Sequence, residues 1–369
     1  GPRPNADRTL GPGGDGAGED RAGVRVRVGT GPGRTVGAAI GWAVRLGGRY
    51  AGAVMSVGSR PLVPSRLAPG GVAHGSRRTP TTVVGAYVAL TKPRIIELLL
   101  ITTVPTMVLA EGGWPRWSLI AVTLLGGTLS AGSANAINMY VDRDIDALMA
   151  RTQGRPLVTG VIEPRNALIF AITLQVLAFA VLWAGANLLS AVLAFGAAAF
   201  YIGVYTLWLK RTSRQNIVIG GAAGAVPVLV GWAAVQNSLS WAPIVLFVAM
   251  FLWTPPHFWA LAVKYADDYR AADVPMLPTV VPIEVAVRQM IWYTVALVIT
   301  TLILVPVAEL GWIYGISAAV LGALFIGGTL ALKRHPTPAA SMRLFGFSIT
   351  YVTVRFGAMT DDVLVRNGW

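Results

Sequence analysis

Residues 117–156 run Trp-Ser-Leu-Ile-Ala-Val-Thr-Leu-Leu-Gly-Gly-Thr-Leu-Ser-Ala-Gly-Ser-Ala-Asn-Ala-Ile-Asn-Met-Tyr-Val-Asp-Arg-Asp-Ile-Asp-Ala-Leu-Met-Ala-Arg-Thr-Gln-Gly-Arg-Pro. The first part, 117–139, carries no charge and is long enough to cross a hydrocarbon core as a helix. The polar, acidic run at 135–156 follows directly on it. Asn138, Asp142 and Asp146 recur at intervals of four, which on a helix sets three oxygen-bearing side chains along one face. Carboxylates stacked in this way repel each other unless something positive sits between them. A divalent cation is the natural candidate, and Mg²⁺ held by a few carboxylates commonly bridges to phosphate oxygens. The stretch therefore predicts a metal–phosphate site at the edge of a membrane.

The same apolar pattern repeats on either side. Nine spans of about 20 apolar residues fall near 95–111, 117–139, 166–186, 188–209, 217–236, 241–263, 286–308, 311–332 and 344–360. Basic residues collect in the connections after the second, fourth, sixth and eighth spans: Arg143, Arg151, Arg155 and Arg165, then Lys210, Arg211 and Arg214, then Lys264, Arg270 and Arg288, then Lys333, Arg334 and Arg343. Arg116 alone represents them on the other side, while Lys92 and Arg94 precede the first span. This bias places the basic loops in the cytoplasm, with the N-terminus in and the C-terminus out. The ninth span is the weakest, because Arg355 lies inside it, and such a residue must face the bundle interior or snorkel to an interface. The reading is an all-α membrane protein with a multi-pass domain over 81–369.

Composition agrees and narrows the chemistry. Of 369 residues, 54% are hydrophobic and 13% charged, and cysteine is absent, which excludes disulfides and thiolate-bound metals. Three histidines argue against a multi-histidine centre. The net charge of +13 is not a nucleic-acid footprint, because the positive residues sit between the spans and in the N-terminal tail. Residues 1–80 form that tail, rich in Gly, Pro and Arg, with twelve arginines against four acidic residues. Such a composition predicts a disordered basic extension. Its apolar stretch 36–57 contains Arg45 and Arg49, which argues against a tenth span.

A second acidic cluster follows the sixth span. Lys264, Asp267 and Asp268 share a helical face, and Asp273 fits that face less well. Two such clusters at the same membrane side, each mixed with Arg or Lys, suit one reaction class. A diphosphate leaves readily only when its charge is neutralised, by metal ions bridging its oxygens and by basic side chains clamping the rest. The allylic cation that remains would be shielded from water by the apolar bundle.

These residues resemble the intramembrane prenyltransferase superfamily. Leu-Thr-Lys-Pro-Arg (90–94), Asn-Met-Tyr-Val-Asp-Arg-Asp-Ile-Asp-Ala-Leu-Met (138–149), Arg-Pro-Leu (155–157), Trp-Thr-Pro-Pro-His-Phe-Trp-Ala-Leu (253–261) and Asp-Asp-Tyr…Val-Pro-Met-Leu-Pro (267–278) are similar, within it, to the protohaem IX farnesyltransferases. The resemblance covers about 85–360. It implies a bundle of about nine transmembrane helices around a central cavity open to the cytoplasmic side of a bacterial plasma membrane. The implied reaction transfers farnesyl from farnesyl diphosphate to the 2-vinyl group of haem B. Asn138, Asp142 and Asp146 would hold Mg²⁺–diphosphate, and Asp267 or Asp268 would serve a second ion. Arg151, Arg155 and Lys264 would clamp diphosphate, and His257 would contact haem. The lipid bilayer and haem-oxidase assembly machinery are the implied partners. Asp273 departs from the pattern, standing where many relatives carry a small residue.

Several residues have plainer readings. Pro255-Pro256 should break helical hydrogen bonding beside His257 and open a cavity. His74 and His335 receive no role. Glu97 reads as a snorkelling acid paired with nearby cations. Asp144 points away from its neighbours and is assigned to Arg143 or Arg151 as an ion-pair partner. Asn135 either meets substrate or packs a helix. The Gly220–Gly224 run is read as close helix packing rather than a nucleotide loop, and Lys210, Arg211 and Arg214 mainly as membrane-side charge. The competing functions are prenylation of an aromatic quinone precursor and ion-coupled transport. Transport is disfavoured because the acids lie at the mouth and no internal repeat is visible.

Overall fold

The computed structural model describes residues 80–368, so the expected N-terminal extension lies outside the described residues apart from Pro80. The described chain is all helix. α1 (Pro80–Thr91) and α2 (Pro93–Glu111) are separated at Lys92. α3 (Trp117–Val141) leads into the short α4 (Arg143–Leu148). α5 (Pro164–Gly185) and α6 (Leu188–Thr212) are followed by α7 (Asn216–Gln236) and α8 (Trp241–Lys264). Two short helices, α9 (Ala266–Ala271) and α10 (Leu277–Val280), precede α11 (Ile283–Val307), α12 (Trp312–Arg334) and α13 (Pro338–Arg366).

Helices occupy all nine positions expected as spans, and seven of them (α3, α5, α6, α7, α8, α11 and α12) are long and apolar enough to cross a membrane. The protein is an integral, multi-pass membrane protein. α1 is an element that the span pattern did not anticipate. It packs Ala86 and Leu90 against Ala136 and Met139 of α3 and Ala167 and Ala171 of α5.

The path of the chain closes on itself. α3 packs on α5, α5 on α6, α6 on α7, α7 on α8, α8 on α11, α11 on α12 and α12 on α13, which returns to α2. α2 also packs on α7, and α13 on α8. Half or more of each span is buried in α3, α7 and α8, against a third or less in α5, α6, α11 and α12. The first group is the interior and the second is the lipid-facing wall. Trp117, Trp241 and Trp312 open α3, α8 and α12, each more than 70% exposed, as aromatic side chains at a membrane boundary are. They mark the end of the bundle opposite the basic loops.

Small residues bring the inner helices together. A Cβ on Gly221 of α7 would lie 2.7 Å from Thr254 Cγ2 of α8, so only glycine fits there. Pro255 and Pro256 do not interrupt α8, contrary to expectation, because neighbouring helices hold the segment in register. Arg355 is 1% exposed and faces the interior.

Candidate active site

The acidic line is built where α3 ends. Asp142 leaves helical geometry slightly (φ −86, ψ 5), yet its N–H still bonds Asn138 O at 2.9 Å and Asp146 N–H bonds Asp142 O at 2.8 Å. The i,i+4 spacing therefore survives the junction with α4. Asn138, Asp142 and Asp146 share one face and are at most 3% exposed. Three buried acceptor-rich groups need partners, and cations from other elements supply them.

Arg155 donates to Asp146, and Lys210, from the end of α6, donates to Asp142. Arg211 Nη2 lies 3.6 Å from the other Asp142 oxygen, Oδ1, which is buried and accepts no hydrogen bond. Lys92 Nζ donates to Asn138 Oδ1 at 2.8 Å, and Asn138 Nδ2 donates to Asp142 Oδ2 at 2.6 Å and Thr206 Oγ1 at 3.2 Å. Burial, with the Arg155 and Lys210 charges close by, holds the Lys92 ammonium well below the usual lysine range despite the opposing pull of Asp146 and Asp142. Asn135 Nδ2 bonds Thr91 O at 3.0 Å, which fixes the α1–α2 break against α3.

Two local distortions place these cations. Lys92 adopts φ 52, ψ 63, the left-handed region, immediately before Pro93. A non-glycine residue there is strained, and such strain persists only where the surroundings enforce it. The second distortion is in α6, whose last turns, Tyr201–Leu209, are wound as a π-helix. Thr206 Oγ1 donates to Tyr201 O, five residues back, at 2.9 Å. The wider winding turns Thr206 toward Asn138 and delivers Lys210 to Asp142. π segments recur at functional sites.

Sequence reasoning undervalued Lys92, Lys210 and Arg211. The pair Lys-Pro before a helix was the available signal for Lys92. Asp144 does not pair with Arg143 or Arg151, as expected, but with Arg211, through two bonds of 2.6 Å. Arg211 therefore holds its carboxyl well below the usual range, to about 2. Arg143 instead donates to Tyr140 O at 2.6 Å.

The second acidic cluster approaches the first through the chain that follows α4. Asp268 accepts from the Ala150 and Arg151 N–H groups, both at 3.3 Å. Arg151 and Lys264 lie over the same Tyr265 ring, at 5.5 and 5.3 Å from its centre. Asp267 points to solvent and pairs with Arg270 at 2.9 Å. Asp273 takes φ 50 in the turn after α9, a conformation that glycine adopts without cost. Among the described residues no three carboxylate or imidazole groups converge closely enough to hold a metal ion by themselves.

His257 lies in α8, 6% exposed, between the Trp253 ring at 4.1 Å and the Phe345 ring at 4.5 Å. Its Nδ1 is 2.6 Å from Ser348 Oγ, which itself lies 2.6 Å from Phe345 O. Where the serine donates to the carbonyl, Nδ1–H donates to the serine; where the serine donates to Nδ1, the proton is on Nε2. With the proton on Nδ1, Nε2 keeps its lone pair. An imidazole pinned in this tautomer is prepared to ligate a metal through Nε2.

The sequence pattern of the UbiA prenyltransferase family matches residues 99–352. A protoheme IX farnesyltransferase from Parafrankia sp. (strain EAN1pec) is 51% identical over 297 residues, covering 80% of this chain and 95% of that protein. The chain belongs to the UbiA prenyltransferase family. A second relative within the family, the protoheme IX farnesyltransferase of Pseudarthrobacter chlorophenolicus, is 48% identical over 318 residues, 85% of this chain and 97% of that one. Two solved UbiA-type structures share the fold. A digeranylgeranylglyceryl phosphate synthase aligns with TM-score 0.65 and 17% identity, over 77% of this chain and 99% of its own. A UbiA homologue from Archaeoglobus fulgidus, bound to DMAPP and Mg²⁺, aligns with TM-score 0.54 and 20% identity, over 76% and 99%. As a UbiA family member the chain is a membrane prenyltransferase.

Proposed function

We propose that this enzyme transfers a farnesyl group from farnesyl diphosphate to the 2-vinyl group of haem B, giving haem O, in a Mg²⁺-dependent reaction. The observation that carries the reading is the buried Asn138–Asp142–Asp146 line, met by Lys92, Arg155 and Lys210 from three separate parts of the chain. That charge balance suits a doubly ionised diphosphate held between carboxylates and cations. The choice of farnesyl and haem rests on relatives about half identical along most of both chains.

The donor set fits magnesium. It is all oxygen, it offers two carboxylates and an amide, and Asp142 Oδ1 is buried without a hydrogen bond. Mg²⁺ is usually held by one or two carboxylates and completed by substrate phosphates and water. Asn138, Asp142 and Asp146 would hold the ion, with Asp268 the nearer candidate of the second motif for another. When bound, Mg²⁺ neutralises the diphosphate as it departs.

The chain's own residues do the rest. Arg155 and Lys210 give up contacts with the acids, and Lys92 its contact with Asn138, and all three donate to diphosphate oxygens, stabilising the negative charge that grows as the C1–O bond breaks. Arg151 and Lys264, now stacked on Tyr265, are within the same loop region and complete the clamp. The bond pair leaves with diphosphate. The terminal vinyl carbon of the acceptor supplies the new pair to C1, and water adds to the cation left beside the macrocycle and loses a proton. The bundle keeps other water from the allylic fragment. His257, through Nε2, holds the acceptor by its iron. The basic loops, and with them the diphosphate site, face the cytoplasm of a bacterial plasma membrane.

The test is an assay of the purified protein in detergent with farnesyl diphosphate, Mg²⁺ and haem B. Recovered haem should gain the mass of one farnesyl and one hydroxyl, added across the vinyl double bond. Unchanged haem, together with prenylation of 4-hydroxybenzoate, would overturn the acceptor assignment.

A further inference from the structure

Arg355 is the one cationic side chain in the buried class among the described residues. Its guanidinium is 3.9 Å from Met250 Sδ, 4.8 Å from the centre of the Phe356 ring and 5.7 Å from that of Tyr351. Nε and Nη1 are buried with no hydrogen-bond partner, and so is the Tyr351 hydroxyl. A guanidinium does not deprotonate in a protein. Its burial in a membrane bundle without an anion is costly, and ring faces offset only part of that cost. The nearest candidate on its own helix face, Asp362, is already committed: it accepts from Gly311 N–H at 2.6 Å and Tyr314 N–H at 3.2 Å, capping α12. The Tyr314 hydroxyl, which donates to Thr301 O at 3.2 Å, also lies against the guanidinium, but it is neutral, so the site has unused donors and no internal anion.

The register of α8 against α13 says where these donors lie. His257 meets Ser348, and seven residues away in both helices Met250 meets Arg355. Seven residues return to the same helix face about 10 Å along the axis. Arg355 thus shares the α8–α13 seam with His257 but sits two turns farther from the Asn138–Asp142–Asp146 end. A porphyrin carries both propionates on one edge and both vinyls on the opposite edge. The separation of His257 from Arg355 is about the reach from a porphyrin's centre to its propionate carboxylates.

We infer that Arg355, with the Tyr351 hydroxyl, is the receptor for the acceptor's propionate carboxylates and so turns its vinyl edge toward the diphosphate site. This rests on the reading of the acceptor as haem. The guanidinium fork matches a carboxylate with two parallel hydrogen bonds. The guest brings the anion that the bundle lacks, and the deep carboxylate end sets which edge of the macrocycle reaches C1 of the donor.

The experiment is a Soret titration of the full chain in detergent with haem B and with haem B dimethyl ester, in which both carboxylates are masked. Wild type should bind the acid roughly 10- to 100-fold more tightly than the ester, the value of a charge-assisted hydrogen bond. R355M should weaken haem B to the affinity of the ester while the ester's own Kd moves less than about twofold, and R355K should fall between. Equal wild-type affinity for acid and ester overturns the inference, as does an R355M that loses both ligands equally or a wild type that binds no haem. If R355M fails to fold, the wild-type comparison of acid with ester decides alone. Haem that binds with the expected discrimination but is not converted in the presence of farnesyl diphosphate and Mg²⁺ keeps the receptor and removes the farnesyl-transfer reading.

Discussion

Lys92 combines a strained backbone with a half-buried ammonium, and two substitutions separate them. At φ 52, ψ 63 a residue with a Cβ is strained by about 1–2 kcal/mol relative to glycine. Glycine returns about 0.4–1 kcal/mol of that advantage through the greater freedom of the unfolded chain. K92G should therefore be more stable than K92A by about 1 kcal/mol, the order of the difference between those two terms. Both variants remove the ammonium 2.8 Å from Asn138 Oδ1. If that ammonium acts on the diphosphate, both should lose about 10- to 100-fold in kcat/KM, equivalent to one hydrogen bond to a charged group. Thermal unfolding in detergent and steady-state farnesyl transfer report the two effects independently. Activity in K92G well above that in K92A would show that Lys92 matters through its backbone and not its charge. Equal stability of the two variants would refute the strain argument.

Three further outcomes follow from the geometry. D144N should retain activity within a few-fold and lose less than about 1 kcal/mol, because the Asp144–Arg211 pair is well exposed to solvent. That carboxyl is held down to about 2, so the contribution of the pair is present above the ordinary value near 3.8 and is lost as pH falls between them; a denaturation series at pH 7 and pH 3 checks it. S348A removes the hydroxyl 2.6 Å from His257 Nδ1, and should weaken haem binding about 10- to 100-fold if that contact orients Nε2 on the iron; an unchanged Soret titration removes Ser348 as the orienting group.

The sequence disclosed the parts of the fold that depend on length and period. Uninterrupted apolar runs located every long helix, because a bilayer admits few other solutions. The spacing of Asn138, Asp142 and Asp146 places them on one helical face, and the i,i+4 bonds through Asp142 preserve it. What stayed hidden depends on tertiary partners. Whether Lys210 faces the acids or the solvent is settled by a π segment that no local pattern in 201–209 announces. Arg211 finds Asp144 across 67 positions, and Arg143, its immediate neighbour, does not. The helix before Lys92 was not legible as a separate element, because the first apolar span begins only at 95, after Lys92 and Arg94. Pro255-Pro256 misled because helices packed around α8 sustain a segment that isolated proline chemistry would end. Arg355, an irregularity in the sequence, becomes informative only once its burial and its missing partners are known.

The central claim is that the acidic line activates the donor while the α8–α13 seam holds the acceptor. D142N tests it most directly, by measuring farnesyl transfer and haem affinity on one preparation. The account predicts that Mg²⁺-dependent turnover falls by about three orders of magnitude or more, as when a principal charge-stabilising group is removed, while the haem Soret titration stays within about twofold of wild type. Turnover within tenfold of wild type, or a parallel loss of haem binding, would contradict it.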